Sequence, residues 1–153
     1  YAILRLTTSS KDMLNQYMGF KDEVRKENVK EWLDNGHICL SALVNNKIIG
    51  SVWISTRYPP YFDILKIRPI FKGTAYIFKL FVSPNFRGKG IGTILVLEAL
   101  QLSYKMGITR ATAIVHKWNK NSLGLMEKLG FKKSYKLYFL KLGTFKQCFL
   151  RHR

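Results

Sequence analysis

The sequence predicts an α+β domain. Three observations carry that prediction: short runs of alternating or β-branched apolar residues, longer runs of helical period closed by glycine, and the order in which they come, β-αα-β-β-β-α-β-α-β-β. With 153 residues, 47% of them apolar, the chain suits one globular core rather than two domains or a disordered segment.

"AILRLT" (2–7) alternates apolar and polar and reads as a strand. Ser9 or Ser10 offers an N-cap for helical character that runs to about Asn35, broken near Gly19 and closed by Gly36. "HICLSALVNNKIIGSVWIS" is a hairpin turned at Asn45-Asn46, since asparagine tolerates the left-handed backbone of a tight turn. Residues 56–74 hold three of the four prolines and several aromatics, too long for a hairpin turn and too apolar for an idle linker. Residues 75–83 form a strand, 91–106 a helix closed by Gly107, 110–118 a strand, and "NKNSLGLMEKLG" a short helix ending at Gly130. "FKKSYKLYFL" and "TFKQCFLRH" are the last two strands, turned at Gly143.

The net charge is +17 and is unevenly placed. Six of the nine acids precede residue 36, in a segment that is near neutral. The remaining 118 residues carry 20 basic side chains and only Asp63, Glu98 and Glu127 as acids. Such a field favours anionic partners, among them phosphate-rich cofactors, acidic proteins and nucleic acid. No helix-turn-helix, zinc spacing or RNA-binding signature appears, so charge alone keeps nucleic acid open. Cys39 and Cys148 lack metal-ligand spacing, no metal is expected, and two isolated cysteines suit a reduced, cytoplasmic setting. No apolar run reaches the length of a membrane span. The chain opens on Tyr1, so the expectation is one domain over 1–153 that is either trimmed or part of something longer.

"VSPNFRGKGIGT" (82–93) places three glycines between a strand and a helix. The first-turn N–H groups of a helix have no intrahelical partners, the helix dipole adds partial positive charge there, and glycines let backbone approach a pyrophosphate. Arg87 and Lys89 add formal charge. A P-loop is excluded, because Thr93 follows Gly92 without a lysine, and G-x-G-x-G is not the G-x-G-x-x-G of a Rossmann turn. The spacing present is R-x-x-G-x-G, at Arg87, Gly90 and Gly92, preceded by "LFVSP". This resembles the acyl-CoA-binding motif of the GNAT superfamily of N-acyltransferases. "NKNSLGLMEKLGF" (119–131) is similar to a second signature of that family, N-x-x-(A/S)-x-x-L-(Y)-E-K-x-GF, at the expected separation.

The resemblance covers nearly the whole chain and implies the GNAT fold: a single mixed central sheet of about seven strands, about four helices, and fourth and fifth strands splayed around acyl-CoA. It implies an N-acetyltransferase domain using acetyl-CoA, or another acyl-CoA, as co-substrate. Backbone of Leu80, Phe81 and Val82 would run beside the pantetheine, with an N–H near Leu80 polarising the acyl carbonyl. The amides of Arg87, Gly88, Lys89, Gly90, Ile91, Gly92 and Thr93 would hold the pyrophosphate, and Asn119, Ser122 and Leu125 would line the cofactor's other side.

The sequence departs from the family pattern twice. Where many members carry a glutamate on the fourth strand, Tyr76 and its neighbours stand, with Lys79 close by and no carboxylate, which leaves Tyr76 itself a catalytic candidate; where many carry a tyrosine as general acid, Met126 stands, and a thioether donates no proton. Three readings follow. Tyr135 or Tyr138 acts as acid, with Asp63 or His116 as base; or catalysis is mostly positioning, with protons passing through water; or the domain is a non-catalytic acyl-CoA sensor or adaptor. Tyr135 and Tyr138, at odd and even positions, face opposite sides of one strand, so at most one enters the cleft. The scarcity of acids disfavours polycationic acceptors and favours an anionic or acidic one. Either a monomer or a homodimer fits.

Overall fold

The computed structural model describes residues 2–6, 11–20, 26–57, 73–142 and 145–152. Its elements are β1 (Ala2–Leu6), α1 (Lys11–Phe20), α2 (Lys26–Asp34), β2 (Ile38–Val44), β3 (Lys47–Ser55), β4 (Ala75–Val82), α3 (Ile91–Lys105), β5 (Ala111–Ala113), α4 (Lys120–Lys128), β6 (Tyr135–Leu142) and β7 (Phe145–His152). That is the expected order. The Ser9/Ser10 cap, the turn at Gly143, Asp63 and the aromatic segment Tyr58–Lys72 lie outside the described residues.

Five strands form one sheet in the order β1-β2-β3-β4-β5, antiparallel throughout except for the parallel pair β4–β5. The single sheet of about seven strands is corrected here: β6 and β7 make a separate two-stranded ladder from Tyr135↔His152 to Leu142↔Phe145. The strand read over 110–118 is also shorter, since β5 keeps only Ala111–Ala113. No residue of β6 or β7 is in register with the five-stranded sheet, and for β5 the pairing sets the length. Only Ala75, Tyr76 and Ile77 of β4 pair with β5, so residues after Ala113 have no ladder there to join.

Alternation along the strands sorts the side chains onto two faces. On one face Cys39, Trp53 and Phe78 come level across β2, β3 and β4, under α1 and α2. Trp32 of α2 meets Trp53 edge-on at 5.0 Å and Phe78 at 5.5 Å, and Tyr76 stacks on Phe78 at 5.4 Å. These are favourable aromatic geometries. Tyr17 of α1 reaches into the same layer, where its hydroxyl accepts from Trp53 Nε1 at 2.7 Å and contacts Ser51 Oγ at 3.4 Å. On the other face Ile38, Val52, Ile54 and Ile77 meet the buried stripe Ile91, Leu95, Val96 and Ala99 of α3. Gly50 lets α3 come this close: a Cβ there would lie 3.1 Å from Leu95 Cδ1 and 3.3 Å from Ile91 Cγ2.

The turns are built as the sequence foretells. Asn45 and Asn46 take φ of 49° and 60°, the left-handed pair of a tight hairpin. Gly36 (φ 80°) closes α2, with its N–H on Leu33 O and the His37 N–H on Trp32 O. The break read at Gly19 falls slightly later, since α1 runs on through Phe20.

Two outcomes follow for stability. Tyr17→Phe orphans the buried Trp53 N–H and should cost about 1–3 kcal/mol in urea unfolding; an unchanged midpoint would show that the contact contributes nothing. His37 is buried, its Nδ1 has no hydrogen-bond partner, and burial, then Arg57, hold its pKa below the ordinary 6.5. Folding keeps the neutral imidazole, so its contribution is complete above about pH 6.5 and is lost as pH falls toward the folded-state value. His37→Gln should flatten that acid-side loss in urea midpoints measured between pH 5 and 8.

Candidate active site at the end of β4

The site is built on an irregularity in β4. Phe78 lies opposite Trp53 and Phe81 opposite Ser51, so Lys79 and Leu80 share the single residue Val52 across the ladder. This is a β-bulge, and Lys79 takes its left-handed turn at φ 51°. Lysine in that conformation is strained. The bulge falls just beyond Ile77, the last β4 residue paired with β5. Among the described residues, no strand pairs with the β5-facing edge of β4 from there to Val82. The expected splay of the fourth and fifth strands is therefore present, and Leu80, Phe81 and Val82 lie along the open edge.

β4 ends in a short 3-10 turn, Pro84–Phe86, and the glycine-rich turn leads into α3. Ser83 N–H donates to Ile49 O at 2.8 Å, tying the strand end to β3. Gly90 caps α3 at φ 77°, and the first intrahelical bond runs from Ile94 N–H to Gly90 O. The N–H groups of Ile91, Gly92 and Thr93 precede that bond, so the helix leaves them without internal acceptors. Cβ atoms built on Gly88 and Gly90 meet nothing within 4 Å, so the space before the turn is open. Gly92 is small for a different reason and does not need positive φ. A Cβ there would lie 3.1 Å from Leu125 Cδ1, 3.8 Å from Val82 Cγ2 and 3.9 Å from Leu80 Cδ2. Four of the expected cofactor residues thus converge on one point. These features fit a pyrophosphate at the turn and an extended chain beside β4.

Other expected residues take more specific positions. Arg87 turns back: its Nε donates to Val82 O at 2.9 Å and its guanidinium lies 5.8 Å from the Phe81 ring. It braces the end of β4 as well as adding charge. Lys89 Nζ lies over Phe86 at 5.4 Å. Asn119 caps α4, its Oδ1 accepting from Ser122 N–H at 3.1 Å.

Of the catalytic candidates, Tyr76 is buried in the aromatic layer, where burial pushes its hydroxyl pKa upward. Met126 is buried on the α3 side of the sheet. Tyr76 and Met126 are thus both core residues. Tyr135 and Tyr138 are half exposed on β6, and His116 is exposed after β5. Two features escaped sequence reasoning: the bulge at Lys79 and the buried His37. The signal for the first is present in "YIFKLFV", where one lysine interrupts an apolar strand.

Comparison with known proteins agrees with this geometry. Over 112 residues, 72% of the chain, the sequence is 32% identical to the putative phosphinothricin acetyltransferase YwnH of Bacillus subtilis. Over 98 residues it is 38% identical to the uncharacterized N-acetyltransferase MJ1207 of Methanocaldococcus jannaschii. The matches span 64% and 36% of those two relatives' own lengths. Among solved structures, the aminoglycoside N-acetyltransferase AAC(6')-Iy in complex with CoA superposes with a TM-score of 0.71 at 16% identity, covering 92% of this chain and 98% of that one. The ribosomal-protein-alanine N-acetyltransferase of Brucella melitensis gives 0.67 at 20% identity, covering 98% and 97%. At these identities the structural likeness speaks for the fold. Residues 7–131 match the acetyltransferase (GNAT) family, and the chain belongs to that family.

Proposed function

We propose that the domain transfers an acyl group, most simply acetyl, from acyl-CoA directly to an amine. The observation that carries this reading is the joining of a bare β4 edge to an open helix N-terminus. The pyrophosphate would rest on the amides of Ile91, Gly92 and Thr93, and the pantetheine would lie along Leu80, Phe81 and Val82. The thioester would then reach the bulge, with the N–H near Leu80 directed at its carbonyl oxygen. The neutral amine forms the new N–C bond, the C–S bond breaks with its electron pair going to sulfur, and the ammonium proton ends on the thiolate. With Tyr76 and Met126 both committed to the core, positioning accounts for most of the rate, and Tyr135 or Tyr138 remains the candidate acid. The non-catalytic reading draws on the same two burials. The acceptor that suits a field of 20 basic residues against three acids after residue 35 is an anionic or acidic one.

Thiol release from acetyl-CoA with a broad amine panel decides between transfer and binding alone: acceptor-dependent release supports transfer, and none with any amine supports the sensor reading. Gly90→Val should abolish acetyl-CoA binding in calorimetry while leaving the circular dichroism spectrum intact, because valine resists φ near 77° and blocks the open turn. Unchanged affinity would place the cofactor elsewhere. Arg87→Ala should weaken binding by roughly 1–3 kcal/mol, one charge-assisted contact and the brace on Val82 being lost. Tyr135→Phe or Tyr138→Phe should lower kcat at least about tenfold if that residue is the acid; two variants that turn over like wild type leave positioning as the account.

A further inference from the structure

Positive charge gathers toward the end of the sequence. From Lys117 onward the chain carries ten lysines and arginines against one acid, Glu127. Glu127 pairs with Lys133, and that ion pair ties the last turn of α4 to the segment leading into β6. The one carboxylate is thereby used locally. Lys128, Lys132 and Lys136 are exposed on either side of the junction.

The β6–β7 ladder sharpens this accumulation. Lys136 stands directly opposite Arg151, and both are exposed. Residues opposite one another in an antiparallel pair share a face, with Cα atoms about 5 Å apart. Like charges in that relation destabilise the pair. A two-stranded ribbon outside the main sheet has little stability to spare. Among the described residues neither cation has an ion-pair partner, so an anion held between them would relieve the repulsion. The register runs unbroken along the ribbon, so Tyr138 comes next on the same face, about 7 Å along the strand, and it is half exposed.

The face thus sets a pair of cations beside an open ring. An acidic peptide would satisfy the cations and leave the ring unused. A duplex would hide its bases from the ring, because they are stacked on one another. A single strand offers both parts, phosphate for the cations and a free base face for the tyrosine.

We infer that this face of the β6–β7 ribbon binds single-stranded nucleic acid, with a backbone phosphate between Lys136 and Arg151 and a base on Tyr138. Lys128 and Lys132 add to the local field. The inference does not depend on acyl transfer. Tyr138 is then committed to this face, and Tyr135, on the other side of the strand, is the acid candidate compatible with it.

The test is fluorescence anisotropy with a labelled oligothymidylate of about twelve nucleotides, with and without saturating acetyl-CoA. Wild type should bind, with an affinity that falls steeply as salt rises. Lys136→Gln and Arg151→Gln should each weaken binding about fivefold or more and flatten the salt dependence. Tyr138→Leu should also weaken it about fivefold or more but leave the salt dependence unchanged, since stacking and no charge is lost. Lys105→Gln is the control. It removes one charge from α3, where Lys105 lines a groove with Ile3 and Arg5, and should change affinity less than about twofold. Lys136→Arg should bind as wild type does, and melting curves identify any variant that fails to fold. No binding at low salt overturns the assignment. So does a loss from Lys105→Gln equal to that from Lys136→Gln, which shows a general field, and so does a silent Tyr138→Leu, which shows that no base is stacked. Displacement by acetyl-CoA overturns it too, because the oligonucleotide then occupies the glycine-rich turn. Polyglutamate that competes as well as the oligonucleotide overturns it in favour of an acidic protein partner.

Discussion

One extra residue in β4 organises the end of this domain where the candidate site lies. The strand must stay in register with β3 over its whole length, and it must also part from β5 after three residues. The bulge at Lys79–Leu80 meets both demands, because it turns the edge of β4 while the β3 ladder resumes at Phe81–Ser51. Without it β4 would continue as an ordinary central strand. Its second edge would then be available to β5 and would offer no backbone to a ligand.

The two faces of the sheet serve different ends. Under α1 and α2 lies a rigid aromatic layer of Trp32, Trp53, Tyr76 and Phe78, fixed on the polar side by Tyr17 and Ser51. The α3 face is aliphatic and carries the turn that presents the amides. Chemistry that other family members assign to a carboxylate on β4 would have to arise from that aromatic layer here. Aromatic packing and a charged base are incompatible at one position, since a buried carboxylate without a partner is costly. The sequence has resolved this in favour of packing.

The element order, the Asn45-Asn46 hairpin, the helix ends at Gly36, Gly107 and Gly130, and the glycine-rich turn were all legible in the chain, because each rests on local backbone chemistry. The family followed from two spaced motifs. What was not legible depends on long-range register. Nothing in residues 110–118 tells that only Ala111–Ala113 would find a partner, and the β-branched run there looks the same whether or not a ladder receives it. Likewise, the residues at 76 and 126 could be identified as departures from a motif, but their burial depends on Phe78 and on α3. The role of Gly92 was half legible: its smallness was expected, but Leu125 rather than backbone handedness imposes it.

Gly50 links the middle of the sheet to the mouth of the site. It carries no group that a ligand could touch, yet its missing side chain sets how deeply Ile91 and Leu95 settle onto β3. Ile91 is also the first residue of α3, so the height of that helix above the sheet and the aim of its leading amides are one variable. A methyl group at position 50 would act as a shim, tilting those leading amides away from β4, the two parts that the proposed acyl-CoA site joins. Variation at this interior position would therefore be read in binding measurements as a defect of the glycine-rich turn, some distance from the atom that changed.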